Sequence, residues 1–182
     1  MLFCCLFGDR VHSEIVTDVD IYHYRSSPRS MHTFNDDVAM HSGHPRWAGT
    51  TRWNINFIYT VDDSEGKCRF TDPRVYLSIR YRMPKLSNPH QNSAITSTFK
   101  RYYDQLMKHE QGHGDSGRLA AAKIDELLDK AYADDCVVLV QQSQERAKAI
   151  IKEYRRRDKR YDMITDHGRK QNRLQPGMLN VP

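Results

Sequence analysis

His109-Glu110-Gln111-Gly112-His113 is the stretch whose residue types and spacing could do chemistry. An α-helix turns once every ~3.6 residues, so side chains four apart stand one above the other on the same face. Both imidazoles can then offer a nitrogen to one Zn²⁺ at ~2.0–2.1 Å. Glu110 falls beside that line of ligands, where it can take a proton from a metal-bound water. The bland alternative is a pair of histidines hydrogen-bonded inside a core helix. The flanking pattern favours the metal. Phe99, Tyr103, Leu106, His109 or Glu110, His113, Ala120, Ile124, Leu127 or Leu128 and Ala131 fall one or two helical turns apart along one stripe, so the histidines face the apolar side, shielded from water. The expectation is one Zn²⁺ per chain on His109 and His113, with Glu110 as general base.

A catalytic zinc site needs a third protein ligand and one open position. Asp115, Asp125, Glu126, Asp129, Asp166 and His167 are the candidates. Asp115 follows His113 by two and points to another face. Glu126 follows it by thirteen, which on a straight helix is roughly 20 Å away, and Asp125 and Asp129 fail in the same way. A ligand returning on a separate segment avoids the difficulty. His167, within Tyr161-Asp162-Met163-Ile164-Thr165-Asp166-His167-Gly168, suits that role, and an ordinary surface histidine is the competing reading. Tyr161 is the candidate donor to a developing oxyanion, or plain packing. Asp162 or Asp166 could accept the N–H of a ligand imidazole.

Several elements must position these groups. Glu14 to Tyr24 is strand-like, and Ser30 could cap a short helix running to Met40. His41-Ser42-Gly43-His44-Pro45 reads as a loop with two exposed histidines. Trp53, Ile55, Phe57 and Tyr59 alternate with mostly polar residues. After the turn material Asp62–Lys67, Val75, Leu77, Ile79 and Tyr81 do the same, so a hairpin is the economical topology. Gly112, Gly114 and Gly117 each weaken a helix by ~0.5–1 kcal/mol and imply a close approach or a helix end. Val137 to Arg160 reads as a second long amphipathic helix. The fold class is therefore α+β: a small antiparallel sheet packed against two long helices.

The chain has 182 residues, of which 38% are hydrophobic and 28% charged, enough for one domain with a sizeable core. We assign residues 14–174 to that domain, with 1–13 and 175–182 as terminal segments. No run of 18 apolar residues is present, which excludes a membrane-spanning helix. Net charge is +5, much of it in Lys152–Arg160. Such a run reads as the solvated face of a helix before it reads as a surface for nucleic acid or anionic glycans. Met1–Gly8 is apolar but too short for a signal peptide; it reads as the end of a longer signal sequence or as a terminus. Of four cysteines, Cys68 and Cys136 are well separated and lack metal-knuckle spacing. One disulfide or two buried thiols would each account for them.

Taken in order, Ala48-Gly49-Thr50-Thr51-Arg52-Trp53-Asn54-Ile55, Cys68, Met83-Pro84 with Leu86, the HExxH, Cys136 and Tyr161–Gly168 resemble a bacterial domain-of-unknown-function family. Its members are described, on sequence grounds, as secreted zinc-dependent proteases. The resemblance runs from about Tyr22 to Gln171. It implies a zincin-like fold, export to the periplasm or medium, and a peptide or protein substrate. It also implies His167 as third zinc ligand and a Cys68–Cys136 disulfide. Two other functions stay open: a metal-binding envelope protein without turnover, and a basic module that binds a polyanion through Arg155–Arg160.

Overall fold

The computed structural model describes residues 14–42, 48–88 and 92–171. The terminal segments 1–13 and 175–182, with Cys4 and Cys5, and the loop residue His44 lie outside them. The elements run β1 (Glu14–Ser26), α1 (Phe34–His41), β2 (Thr50–Asp62), β3 (Cys68–Leu86), α2 (Ser93–Lys130), β4 (Tyr132–Ala133) and α3 (Cys136–Thr165). The architecture is α+β.

β2 and β3 form the expected hairpin, with Trp53 opposite Ile79, Ile55 opposite Leu77 and Phe57 opposite Val75. Because side chains alternate along a strand, this register gathers Trp53, Ile55, Phe57, Val75, Leu77 and Ile79 on one face. The connecting turn closes with Gly66 N–H donating to Asp63 O at 3.0 Å, at a φ of +77° that a side chain would strain.

The sheet is not the small antiparallel one that the sequence suggested. β1 runs parallel to β3, from Glu14 beside Arg74 to Ser26 beside Leu86. The order is β1-β3-β2, with β4 antiparallel to β3. A tight turn enforces antiparallel pairing only between strands that are neighbours in sequence. Residues 27–49, including α1, separate β1 from β2 and let β1 take the far edge of β3.

Val75, Leu77, Ile79, Tyr81 and Met83 of β3 are buried with Trp53 and Ile55 beneath Ala120, Ala121, Ile124 and Leu128 of α2. Asn92 Oδ1 accepts the Ala94 N–H at 2.8 Å and opens α2, which then continues unbroken through all three glycines. They mark close approaches. A Cβ at Gly112 would run into the Tyr161 ring, one at Gly114 into the Tyr81 hydroxyl, and one at Gly117 into Trp53. Three aromatic side chains thus dock directly on the helix backbone around His113.

Asp135 caps the start of α3, its side chain accepting the Val138 N–H. Cys68 and Cys136 form a disulfide that ties this end of α3 to the start of β3. The helix runs past Arg160 to Thr165, so most of the closing motif is helical rather than a separate segment. Beyond it Asp166, His167 and Gly168 have φ of 52°, 51° and 86°, a left-handed turn that doubles the chain back toward α2.

Candidate metal centre

His109 and His113 stand one turn apart on α2, their ring centroids 4.9 Å from each other. Their Nε2 atoms converge on one atom of α3, Oδ1 of Asp162, at 3.1 and 3.0 Å. Among the described residues these three offer donor atoms all within 4.8 Å of one another. His109 is buried, and the His113 side chain is 13% exposed. Gly112 lets α3 come this close, because the Tyr161 ring occupies the space a side chain would fill. Two imidazole nitrogens and one carboxylate oxygen are a donor set suited to zinc.

The electrostatics follow from burial and from this convergence. Burial pushes the Asp162 carboxyl up, but the bonds from His109 and His113 outweigh it and hold the group well below the usual carboxylate range. Burial disfavours charge on His113, yet Asp158 and Asp162 together raise it to about 10. Glu110 is buried at 3% exposure. Its pKa is raised, burial outweighing the Thr51 hydroxyl bond and the attraction of both imidazoles. Thr51 donates to Glu110 Oε2 at 2.6 Å, and a Cβ at Gly49 would come within 2.7 Å of Oε1. The start of β2 therefore shapes the pocket of the acid that the HExxH presents.

The outer nitrogens of the two rings meet different surroundings. His113 Nδ1 lies 3.3 Å from Asp158 Oδ1 as an ion pair. That buried oxygen makes no aligned hydrogen bond. Asp158 Oδ2 accepts the Trp53 Nε1–H at 2.8 Å. The Arg155 guanidinium lies 3.7 Å over the Trp53 ring and donates to the Trp53 carbonyl. On the other side, His109 Nδ1 faces Gln171 Oε1 and Thr165 Oγ1, each at 3.4 Å. Gly168 packs against the His109 ring.

Tyr161 stacks on His109 at 4.9 Å and donates its hydroxyl to Gln171 Oε1 at 2.8 Å. Burial pushes its phenol up to about 12. His167 stands beside the group of three, its half-exposed ring holding Nδ1 3.6 Å from Asp162 Oδ1. Asp166 caps α3, and its carboxylate faces Arg169 at 3.7 Å instead of a ligand imidazole. His41 ends α1, exposed, its Nδ1 against the Asp37 carbonyl.

Sequence reasoning gave Asp162 only a supporting place, and it did not single out Asp158, Thr51 or Gln171. For the aspartates a signal existed. Asp158 and Asp162 are four apart, on the inward face of the same helix as Tyr161 and Thr165, but they sit in or beside a run of cations that masks the spacing.

The fold and site define an α+β domain with a buried two-histidine, one-aspartate group able to hold a metal ion. The chain belongs to a family of bacterial proteins of unknown function (DUF922), whose model matches residues 21–168. Comparison with curated proteins matches none of them, and comparison with solved structures matches none.

Proposed function

We propose that this protein is a zinc-dependent metallopeptidase acting in the periplasm or outside the cell. The observation that carries the reading is the convergence of His109 Nε2, His113 Nε2 and Asp162 Oδ1 beside the buried carboxyl of Glu110. Those three residues would hold the ion. His167, the ligand that the family resemblance implies, is the neighbouring donor. A bound zinc would acidify a water molecule and polarise the scissile carbonyl. Glu110 would be the group to accept a proton from such a water and pass it to the leaving amine, a task suited to an acid whose pKa burial has raised. Thr51 fixes the Glu110 carboxylate in one orientation. Tyr161 reaches an oxyanion only by releasing Gln171. The disulfide supports export, because such bonds persist in oxidising compartments. Among the described residues no helix is long and apolar enough to cross a membrane.

The test is hydrolysis of an unfolded protein substrate by zinc-loaded wild type beside Glu110→Gln. Loss of ~10²–10⁴-fold in turnover at unchanged zinc content is expected. Equal cleavage by both would contradict the assignment, and zinc binding without any cleavage would favour the inactive metal-protein reading.

One observation favours the polyanion reading. Lys148, Lys152, Arg156 and Lys159 lie along the exposed side of α3, and none bridges a carboxylate among the described residues. Four like charges at this spacing repel one another, which a polyanion would relieve. Heparin retention that is abolished by salt and survives zinc removal and Glu110→Gln is its signature.

A further inference from the structure

We propose that Asp158 is a positioning residue for His113, and that Trp53 and Arg155 hold it in place. The inference rests on the zinc reading and extends it to residues that touch neither metal nor substrate.

An imidazole can bind a metal through Nε2 only if that nitrogen is unprotonated, so the remaining proton must sit on Nδ1. The group facing Nδ1 decides how strongly that tautomer and ring angle are held. Behind His113 it is a carboxylate oxygen, Asp158 Oδ1, at 3.3 Å. That oxygen is buried and makes no aligned hydrogen bond, so the His113 N–H is the donor available to it. Closing this 3.3 Å contact into an aligned bond would satisfy the oxygen, whereas a His113 rotamer that turns Nδ1 away would deprive it of that donor.

Asp158 is itself immobilised. Trp53 Nε1–H donates to its other oxygen at 2.8 Å, and Trp53 is 2% exposed within the sheet core. Arg155 lies over the Trp53 indole and donates to the Trp53 carbonyl, joining α3 to β2 at this point. On α2, Gly117 lets the indole lie against the helix one turn beyond His113. The ligand angle at His113 is thereby referred to the buried hairpin through Trp53 and Asp158.

The test uses the full chain. Zinc affinity is measured by competition with a chromophoric chelator for wild type, Asp158→Asn and Trp53→Phe. Histidine ¹⁵N–¹H spectra of the zinc-loaded proteins report the tautomer. Asp158→Asn should lose about 10–100-fold in zinc affinity. It should also lose the strongly deshielded His113 Nδ1–H resonance that a carboxylate partner produces. Trp53→Phe removes the N–H that holds Asp158, together with part of the indole, so it should shift the same resonance and weaken zinc in the same direction by a smaller factor. This second variant keeps the inference open to test if Asp158→Asn fails to fold. Zinc affinity within twofold of wild type in a folded variant, with the Nδ1–H signal unmoved, would overturn the role of Asp158. A wild type that binds no zinc would instead remove the metal reading beneath it.

Discussion

Behind His113 stand a carboxylate, an indole and a guanidinium that belong to β2 and α3, whereas behind His109 stand a neutral amide, a hydroxyl and a glycine from the end of α3 and the left-handed turn after it. The two histidines are one turn apart on one helix, yet their supports come from regions of different character. The first is anchored in the sheet core. The second depends on residues 165–171 folding back, with Asp166 and His167 held at positive φ. Such conformations cost non-glycine residues about 1–3 kcal/mol and persist only where surrounding contacts impose them. Here Thr165 Oγ1 accepts the Gly168 N–H at 3.2 Å, and Gln171 anchors the far end on Tyr161. One histidine is backed by charge from the sheet core, the other by neutral contacts on a strained turn.

The largest expected effect is on pH dependence, which should report the charged side. In the metal-free protein His113 is raised to about 10, so near neutrality zinc must displace its proton. Affinity should therefore climb with pH, by up to about tenfold per unit for each proton released, and competition titrations from pH ~7 to ~9 would show it. A flat profile would place no proton on the His113 side. Folding of the metal-free protein carries the opposite sign. The raised His113 contributes stability that is fully present below its unfolded value of ~6.5 and is lost as pH rises through about 10.

Next come the two glycines that admit the supports. Gly117→Ala drives a methyl into Trp53, and Gly112→Ala drives one into Tyr161. Each should destabilise by about 1–3 kcal/mol in denaturant unfolding. They should differ in zinc binding, Gly117→Ala disturbing the frame of His113 and Gly112→Ala the ring stacked on His109. Equal affinity in the two variants would erase the distinction.

The smallest effect on zinc belongs to Gln171→Ala. It removes a neutral neighbour 3.4 Å from His109 and leaves Thr165 there, so affinity should fall only a few-fold, well short of Asp158→Asn. Stability should respond more, by about 1–3 kcal/mol, because the buried Tyr161 hydroxyl loses its acceptor.

The parts of this protein that were legible in its sequence are those governed by local periodicity. The alternation from Trp53 to Tyr59 and from Val75 to Tyr81 gave the hairpin and its buried face, and the spacing of His109 and His113 gave a pair on one side of a helix. The parallel partner of β3 was hidden, since alternation along Glu14–Ser26 does not encode which strand it joins. Asp162, the third member of the group, was hidden for a different reason. The apolar periodicity of α3 fades after Tyr154, where the inward positions become Asp158, Tyr161, Asp162 and Thr165, polar or aromatic residues that face the site. A helix whose buried stripe is functional does not look amphipathic by hydrophobicity, so the closing motif read as a returning segment and drew attention to His167.

Zinc content of purified wild type, Asp162→Ala and His167→Ala, measured side by side by elemental mass spectrometry, tests the central claim most directly. The account predicts about one zinc per chain in wild type, the three-ligand stoichiometry of a catalytic site, with loss in Asp162→Ala and retention in His167→Ala. Retention in Asp162→Ala with loss in His167→Ala would move the third ligand to His167. Wild type that stays metal-free after reconstitution with zinc would contradict the account outright.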